Sequence, residues 1–273
     1  MTLMFLAITF VVVVFQTAFL LLSATGDGEG VGISLTMIKN CGFNPINILD
    51  IGANEGTWST TIKKIFPSAQ FFMIEANKEH YADLVKTRFP FEIALVGNDH
   101  RQVTFYKVRK FWTTGNSIYK ENSQHYENAQ EYLMNMTTVD RIVKRRKLKP
   151  FDLIKFDVQG AELEALQGSH QTIGAADAVI TEASIMNYNQ GSPSFFDVHS
   201  FMESHGFALF DLFDESRQSP SGILNQVDVV WVKKTSFLWG PNCTGFPIPT
   251  HFNQSRSVAG RKRHQAVIQH PIT

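Results

Sequence analysis

The stretch from Asn47 to Trp58, Asn-Ile-Leu-Asp-Ile-Gly-Ala-Asn-Glu-Gly-Thr-Trp, constrains the fold more tightly than any other part of the chain. Ile46, Ile48, Leu49 and Ile51 make a short apolar run, the pattern of a strand buried in a parallel sheet. Asp50 sits near its end, and Gly52 and Gly56 then permit a tight turn with close backbone approach. Trp58, Ile62, Ile65 and Phe66 fall on one face of a following helix, which Pro67 ends. A strand, a glycine turn and a helix N-terminus in that order form an edge on which nucleotides bind.

The spacing narrows the choice of nucleotide. A dinucleotide fingerprint needs Gly-x-Gly-x-x-Gly, and a P-loop needs Lys followed by Ser or Thr after its last glycine. Neither is present. Asp-x-Gly-x-x-x-Gly instead places an acid beside the turn, which repels phosphates and pairs with an ammonium group. That suits S-adenosylmethionine, and the pattern resembles motif I of the class I methyltransferases. Asp50, Gly52, Ala53, Asn54 and Gly56 are therefore candidate cofactor-binding residues. Gln70 to Glu75 reads as the second strand, and Glu75 lies 25 residues after Asp50, where an acid takes ribose hydroxyls. Ala76 and Asn77 complete that corner.

Strand and helix patterns then alternate, as a parallel sheet requires. Lys78 to Phe89 reads as a helix, Phe91 to Val96 as a third strand and Gln102 to Val108 as a further strand. Arg109 to Met136 is polar, aromatic and weakly periodic, the character of a lid or binding loop holding Trp112, Asn116, Ser117, His125 and Tyr126. Thr138 caps a short, strongly basic helix, best read as a solvated face. Asp152 to Phe156 is another strand and runs into Asp157-Val-Gln-Gly-Ala-Glu-Leu-Glu-Ala-Leu-Gln-Gly168. Ala178 to Glu182, Phe207 to Phe213 and Val227 to Val232 complete the strands, with a helix through Phe195, Val198 and Met202 ending at Gly206.

Leu3 to Leu22 is almost wholly apolar, and no charged side chain precedes Asp27. About 20 such residues can span a bilayer, so 1–25 reads as a membrane anchor, with a cleaved signal peptide as the alternative. Residues 26–43 read as a linker and 235–273 as a polar tail. A formal net charge of +0 argues against nucleic-acid binding. Two cysteines, Cys41 and Cys243, exclude a disulfide framework but leave one bridge open in an oxidising compartment. Sequons at Asn135, Asn242 and Asn253 matter only if the chain is luminal.

Lys155-Phe-Asp157-Val-Gln-Gly160-Ala-Glu162-Leu-Glu-Ala-Leu-Gln-Gly168 resembles the hallmark of the FkbM-type methyltransferases. Asn47 to Gly56, Phe72 to Asn77, Ile93 to Gly97, Thr137 to Asp140 and Val179 to Glu182 extend the likeness over roughly 44–233. The resemblance implies a class I, doubly wound α/β domain over 44–234. Its sheet would have seven strands, mostly parallel, with an antiparallel last hairpin. It implies S-adenosylmethionine as cofactor, an adenine pocket at Ala94 and Leu95, and a hydroxyl on a sugar or other small metabolite as acceptor. Gln159 departs from the family, where many members carry Glu. Asp157, at the end of the fourth strand, is the first candidate for general base or acceptor orientation, with Lys155 on the same face to tune it. A structural ion pair is the alternative for these two. Glu162 supports the helix start, and Glu182 is a weaker candidate. The rival functions are an NAD-dependent oxidoreductase, whose Tyr-x-x-x-Lys spacing occurs at Tyr106 and Lys110, and a luminal binding protein without turnover.

Overall fold

The computed structural model describes residues 29–108, 115–122, 126, 129–186, 189–245 and 252. It begins with α1 (Glu29–Asn40), β1 (Asn47–Ile51), α2 (Thr57–Ile65) and β2 (Gln70–Glu75). A 3-10 turn at Lys78–His80 leads into α3 (Tyr81–Thr87), β3 (Phe91–Ile93), β4 (Leu95–Val96), β5 (Gln102–Lys107) and β6 (Gln130–Thr137). Next come α4 (Val139–Arg146), β7 (Leu153–Phe156), α5 (Glu162–Gln167), α6 (His170–Ala175) and β8 (Ala178–Ser184). The last elements are α7 (Phe195–Ser204), β9 (Phe207–Gln218), β10 (Ile223–Lys233), a 3-10 turn at Phe237–Trp239 and α8 (Pro241–Thr244).

Seven strands form one sheet in the order β3-β2-β1-β7-β8-β10-β9. The first five are mutually parallel, and β10 runs antiparallel to both β8 and β9. The expected class I sheet is thus present. Strand order reverses between β1 and β7, so a crevice opens there at the carboxyl edge. Alternation of side chains sorts the core into two layers. Leu49, Ile51, Ile154, Phe156, Val179 and Trp231 pack against Ile142, Leu166, Ile173 and Met202 of α4 to α7. On the other face Ile48, Leu153, Ile180 and Val230 pack against Val31, Leu35 and Ile38 of α1 and Ile62 of α2.

Four readings change. The span 26–43, read as linker, contains α1, whose buried residues recur at helical spacing (Val31, Leu35, Ile38) but are diluted by Gly30 and Gly32. The third strand divides at Ala94: β3 stays in the main sheet, while β4 joins β5 and β6 in a small sheet ordered β4-β6-β5. The loop read over Arg109 to Met136 ends early, because Gln130–Thr137 is β6 and pairs with β5 along its length. Its mostly exposed side chains hide the strand from a hydropathy reading. One reading stands beside these: Tyr106 lies on β5, within the strand read over Gln102 to Val108, so the short-chain dehydrogenase spacing, which belongs on a helix, has no structural counterpart there. Finally, the segment after 234 holds the turn and helix around Leu238, which is buried against α1 and β10. The apolar run at Leu3 to Leu22 and the end of the tail lie outside the described residues. Among the described residues no helix is long and apolar enough to cross a membrane.

Cys41 and Cys243 are joined by a disulfide with 202 residues of sequence separation, fastening α8 to the end of α1. A cross-link closing so long a loop restricts the unfolded chain strongly. Cys243→Ser is expected to lower unfolding free energy by about 2–4 kcal/mol. Urea denaturation of the variant and of the wild type with and without reductant checks this. An unchanged midpoint would show that α1 is held by its apolar face alone.

Candidate active site

A cleft of about 680 Å³, its solvent-open mouth included, lies at the switch point. Gly52 and Asn54 of the first turn, Glu75 and Ala76 after β2, Ala94 and Leu95 after β3, and Asp157 after β7 all line it. Seven of the predicted site residues are therefore brought together. The lining also includes His80, Phe105, Ser117, Ile118, Val158 and Gln159. His80 comes from the 3-10 turn after β2, Phe105, Ser117 and Ile118 from β5 and the segment after it, and Val158 and Gln159 from the β7–α5 turn of the hallmark; their place on the wall depends on tertiary packing rather than on a cofactor motif.

Each wall has a local cause. Gly52 has φ +82, and a Cβ there would stand 1.7 Å from the Asp157 carbonyl oxygen, so only glycine lets the two turns meet. The Glu75 carboxylate accepts hydrogen bonds from the backbone N–H of Asn54 at 2.8 Å and of Asn77 at 2.6 Å, which fixes its orientation at the cleft wall. Burial raises its pKa, against those hydrogen bonds. Asn77 also caps the following 3-10 turn. Ser117 pairs with Tyr106, and Glu121 with Asn189, so part of the segment after β5 is stitched down beside the cleft. Trp112 and His125 lie outside the described residues.

Asp50, Ala53, Gly56, Asn77 and Lys155 do not line the cleft. Asp50 is 0% exposed, and one carboxylate oxygen accepts from Ser59 Oγ at 2.6 Å while Oδ1 has no partner. Gly56, at φ +81, is the N-cap of α2. Lys155 lies below the cleft and reaches up to it: its ammonium donates to Asp157 Oδ2 at 2.7 Å and sits 5.6 Å from the Trp58 ring. Asp50 is its ladder partner on β1, on the same sheet face.

Asp157 is the most exposed member of this group, with its side chain 34% exposed against 9% for Lys155. Gln159 donates its amide to the other Asp157 oxygen at 2.8 Å. Burial works to raise the Asp157 pKa, but Lys155 and these hydrogen bonds outweigh it and hold Asp157 below the usual carboxylate range. For Lys155, burial opposes the charge, and the negative fields of Asp157 and Asp50 more than restore it, so its pKa is raised. An ionised Asp157 therefore faces the cleft. A glutamate at 159 would face it with a second carboxylate in place of the amide donor. Glu162 accepts from the N–H groups of Val158 and Gly160, shaping the turn that carries Asp157.

Comparison with known proteins agrees with the hallmark. A model of the methyltransferase FkbM domain matches residues 50–209. The 2-O-methyltransferase NoeI of Sinorhizobium fredii is 26% identical over 162 residues, which is 53% of this chain and 65% of that protein. The chain thus covers less than two thirds of the length of the curated relative that it matches. Among solved structures, the plantazolicin methyltransferase BamL superposes with a TM-score of 0.43 and 11% identity over 73% of this chain and 81% of that one. The precorrin-6y C5,15-methyltransferase of Geobacter metallireducens gives 0.42 and 12% identity over 73% and 85%.

Burial pushes the Glu162 carboxyl up to about 7, opposed by the Val158 and Gly160 hydrogen bonds and reinforced by the charge of Asp157. The folded protein then binds a proton that the unfolded chain has already lost between about pH 4.3 and 7. Stability present below that window falls as pH rises through it. Glu162→Gln keeps an acceptor oxygen and escapes the titration. The difference in Tm, variant minus wild type, is expected to grow between pH 4.5 and 7.5 and then level off. A difference flat with pH would remove Glu162 as the titrating group.

Proposed function

The chain belongs to the FkbM methyltransferase family, and we propose that it is an S-adenosylmethionine-dependent O-methyltransferase acting on a hydroxyl of a sugar or other small metabolite. The observation that carries the reading is one cleft with Glu75 on one wall and an ionised Asp157 on another. The residues fit the cofactor. The Glu75 oxygens, each holding one backbone N–H, keep lone pairs for ribose hydroxyls. Ala94, Leu95 and Phe105 offer an apolar slot to an adenine ring. Asp50 is buried beneath the first turn with Oδ1 unpartnered, and burial raises its pKa against the pull of Lys155. When bound, the cofactor supplies a methyl group already activated by its sulfonium.

The remaining work falls to the chain. Asp157 can accept a hydrogen bond from a neighbouring hydroxyl of the acceptor and so hold the reacting oxygen toward the methyl group, and Lys155 and Gln159 keep that carboxylate still and ionised. Alignment of this kind is worth much of the rate in a displacement reaction. The name of the matched relative, a 2-O-methyltransferase, favours oxygen as the atom methylated. The NAD-dependent and non-catalytic readings have no supporting feature among the described residues.

Isothermal titration should detect S-adenosylhomocysteine and not NAD. Glu75→Ala should weaken binding by about 1–3 kcal/mol. Asp157→Asn should bind cofactor normally yet transfer labelled methyl to a panel of methyl glycosides about 10²-fold more slowly. NAD binding without a response to S-adenosylhomocysteine would sink the reading.

We further propose that Leu3 to Leu22 anchors the chain with its domain in the secretory lumen. The Cys41–Cys243 disulfide supports an oxidising compartment, and Asn242 of the Asn242-Cys243-Thr244 sequon is exposed on α8. Membrane-fractionated chain from a secretory host should lose mass on endoglycosidase treatment, and Asn242→Gln should abolish that loss or reduce it to the remaining sequons. An unglycosylated, reduced chain in the cytosol refutes the placement.

A further inference from the structure

The carboxyl edge of the sheet carries a second polar group that the reading above does not use. In the β8–β10 ladder Glu182 stands directly opposite Asp228, and the next pair outward on the same face is Ser184 opposite Gln226. Directly opposed residues have Cβ atoms about 4.5–5.5 Å apart, and like charges placed so are unfavourable. Glu182 Oε2 is buried without a partner, and among the described residues no hydrogen bond or ion pair reaches the Asp228 carboxylate. Ser184, at the end of β8, and Gln226, within β10, are 6% and 8% exposed, an uncommon burial for such residues. Asp157, just past the end of the neighbouring strand β7, links this strip to the cofactor cleft.

The charges do not balance unless a proton is held here. Among the described residues Lys155 is the single ammonium beside Asp50 on β1, Asp157 just after β7, Glu162 on α5, Glu182 and Asp228, with Asp214 of β9 adding further negative field. Its direct contact is spent on Asp157. Burial first, then the charge of Asp157, pushes Asp228 up to about 8 against the pull of Lys155. Glu182 is raised well above its ordinary value, by burial and then by Asp157, Glu162 and Asp228.

We propose that Glu182 and Asp228 form a proton-sharing carboxyl pair that grips the acceptor hydroxyl and takes its proton, while Ser184 and Gln226 extend the strip toward a polyhydroxylated, sugar-like acceptor. The proposal rests on the O-methyl transfer reading. The neutral carboxyl donates to the acceptor oxygen, and the ionised one accepts from its O–H. As the new C–O bond forms, the S–CH3 bond breaks and its electron pair stays on sulfur. The hydroxyl proton passes to the ionised carboxylate and from there to water. A strained, unpartnered acid pair is retained at the edge where substrates bind because it is used.

The test compares full-length wild type with Asp228→Asn, Glu182→Gln and Asp228→Glu. Removing either like charge should raise Tm, and calorimetry with S-adenosylhomocysteine should give an unchanged Kd. Methyl transfer from labelled S-adenosylmethionine to methyl glycosides should fall on the order of 10²–10⁴-fold in kcat for the Asn and Gln variants. These variants should also lose the fall in kcat/KM as pH rises through about 8, and Asp228→Glu should keep it. Variants that melt higher yet transfer at the wild-type rate overturn the proposal and leave the reading beneath it standing. A wild type that transfers to no glycoside overturns both. If the Asn and Gln variants do not fold, the infrared spectrum of the wild type decides: a protonated-carboxyl band at pH 7 that fades by pH 9.5 upholds the shared proton, and its absence at pH 6 refutes it.

Discussion

The carboxyl edge of this sheet depends on one buried ammonium. Lys155 lies in a strand whose other members, Leu153, Ile154 and Phe156, are wholly apolar and buried. Its charge persists only because Asp157 bonds it directly, Asp50 stands opposite it in the ladder, and the Trp58 ring offers its face. The dependence runs both ways. Without Lys155 the carboxylates around it would be charges in a dry site with nothing to offset them, a costly arrangement. With it, Asp157 stays ionised at the cleft, and the acids one and two strands away are left to hold protons. A single cation thus sorts a group of chemically similar side chains into charged and neutral members.

The turns that carry these groups are held by backbone contact rather than by bulk. The Gly52 turn abuts the Asp157 carbonyl, and Gly168, at the end of the hallmark, would put a Cβ 1.9 Å from the Gly97 carbonyl oxygen. Asn189 donates to the Gln159 carbonyl at 2.9 Å, tying the loop after β8 to the turn after β7. The small sheet β4-β6-β5 docks on this frame and brings Phe105 and the Ser117 region to the cleft. The reacting edge is therefore assembled from several distant segments, each pinned at a point where a larger residue would not fit.

How much of this was legible in the sequence follows from the range of the interactions. The glycine turn, Glu75 and the run from Lys155 to Gly168 are local patterns, and the structure gathers most of them around one cleft. Asp50 misleads because spacing shows only that an acid lies near the turn; the side-chain direction follows the strand pleat, which points it down to Ser59. Asp228 and Gln226 escape notice because they act through register with β8, a pairing no single stretch reveals. Their signal was an acid interrupting Val227 to Val232, much as Lys155 interrupts its own strand. α1 and β6 were missed for opposite reasons, one through glycines that mask its apolar spacing, the other through an exposed face.

The position of α1 has a consequence for how the molecule is presented. Its first turn is held to β9, where the backbone N–H of Gly30 and Val31 donate to the Asp214 carboxylate. Asp214 lies just beyond Phe213, the ladder partner of Asp228, so the chain arrives at the same rim of the sheet from which Asp157, Glu182 and Asp228 look out. The anchor proposed above would therefore join the domain on its cleft side, opposite the end that the disulfide fastens.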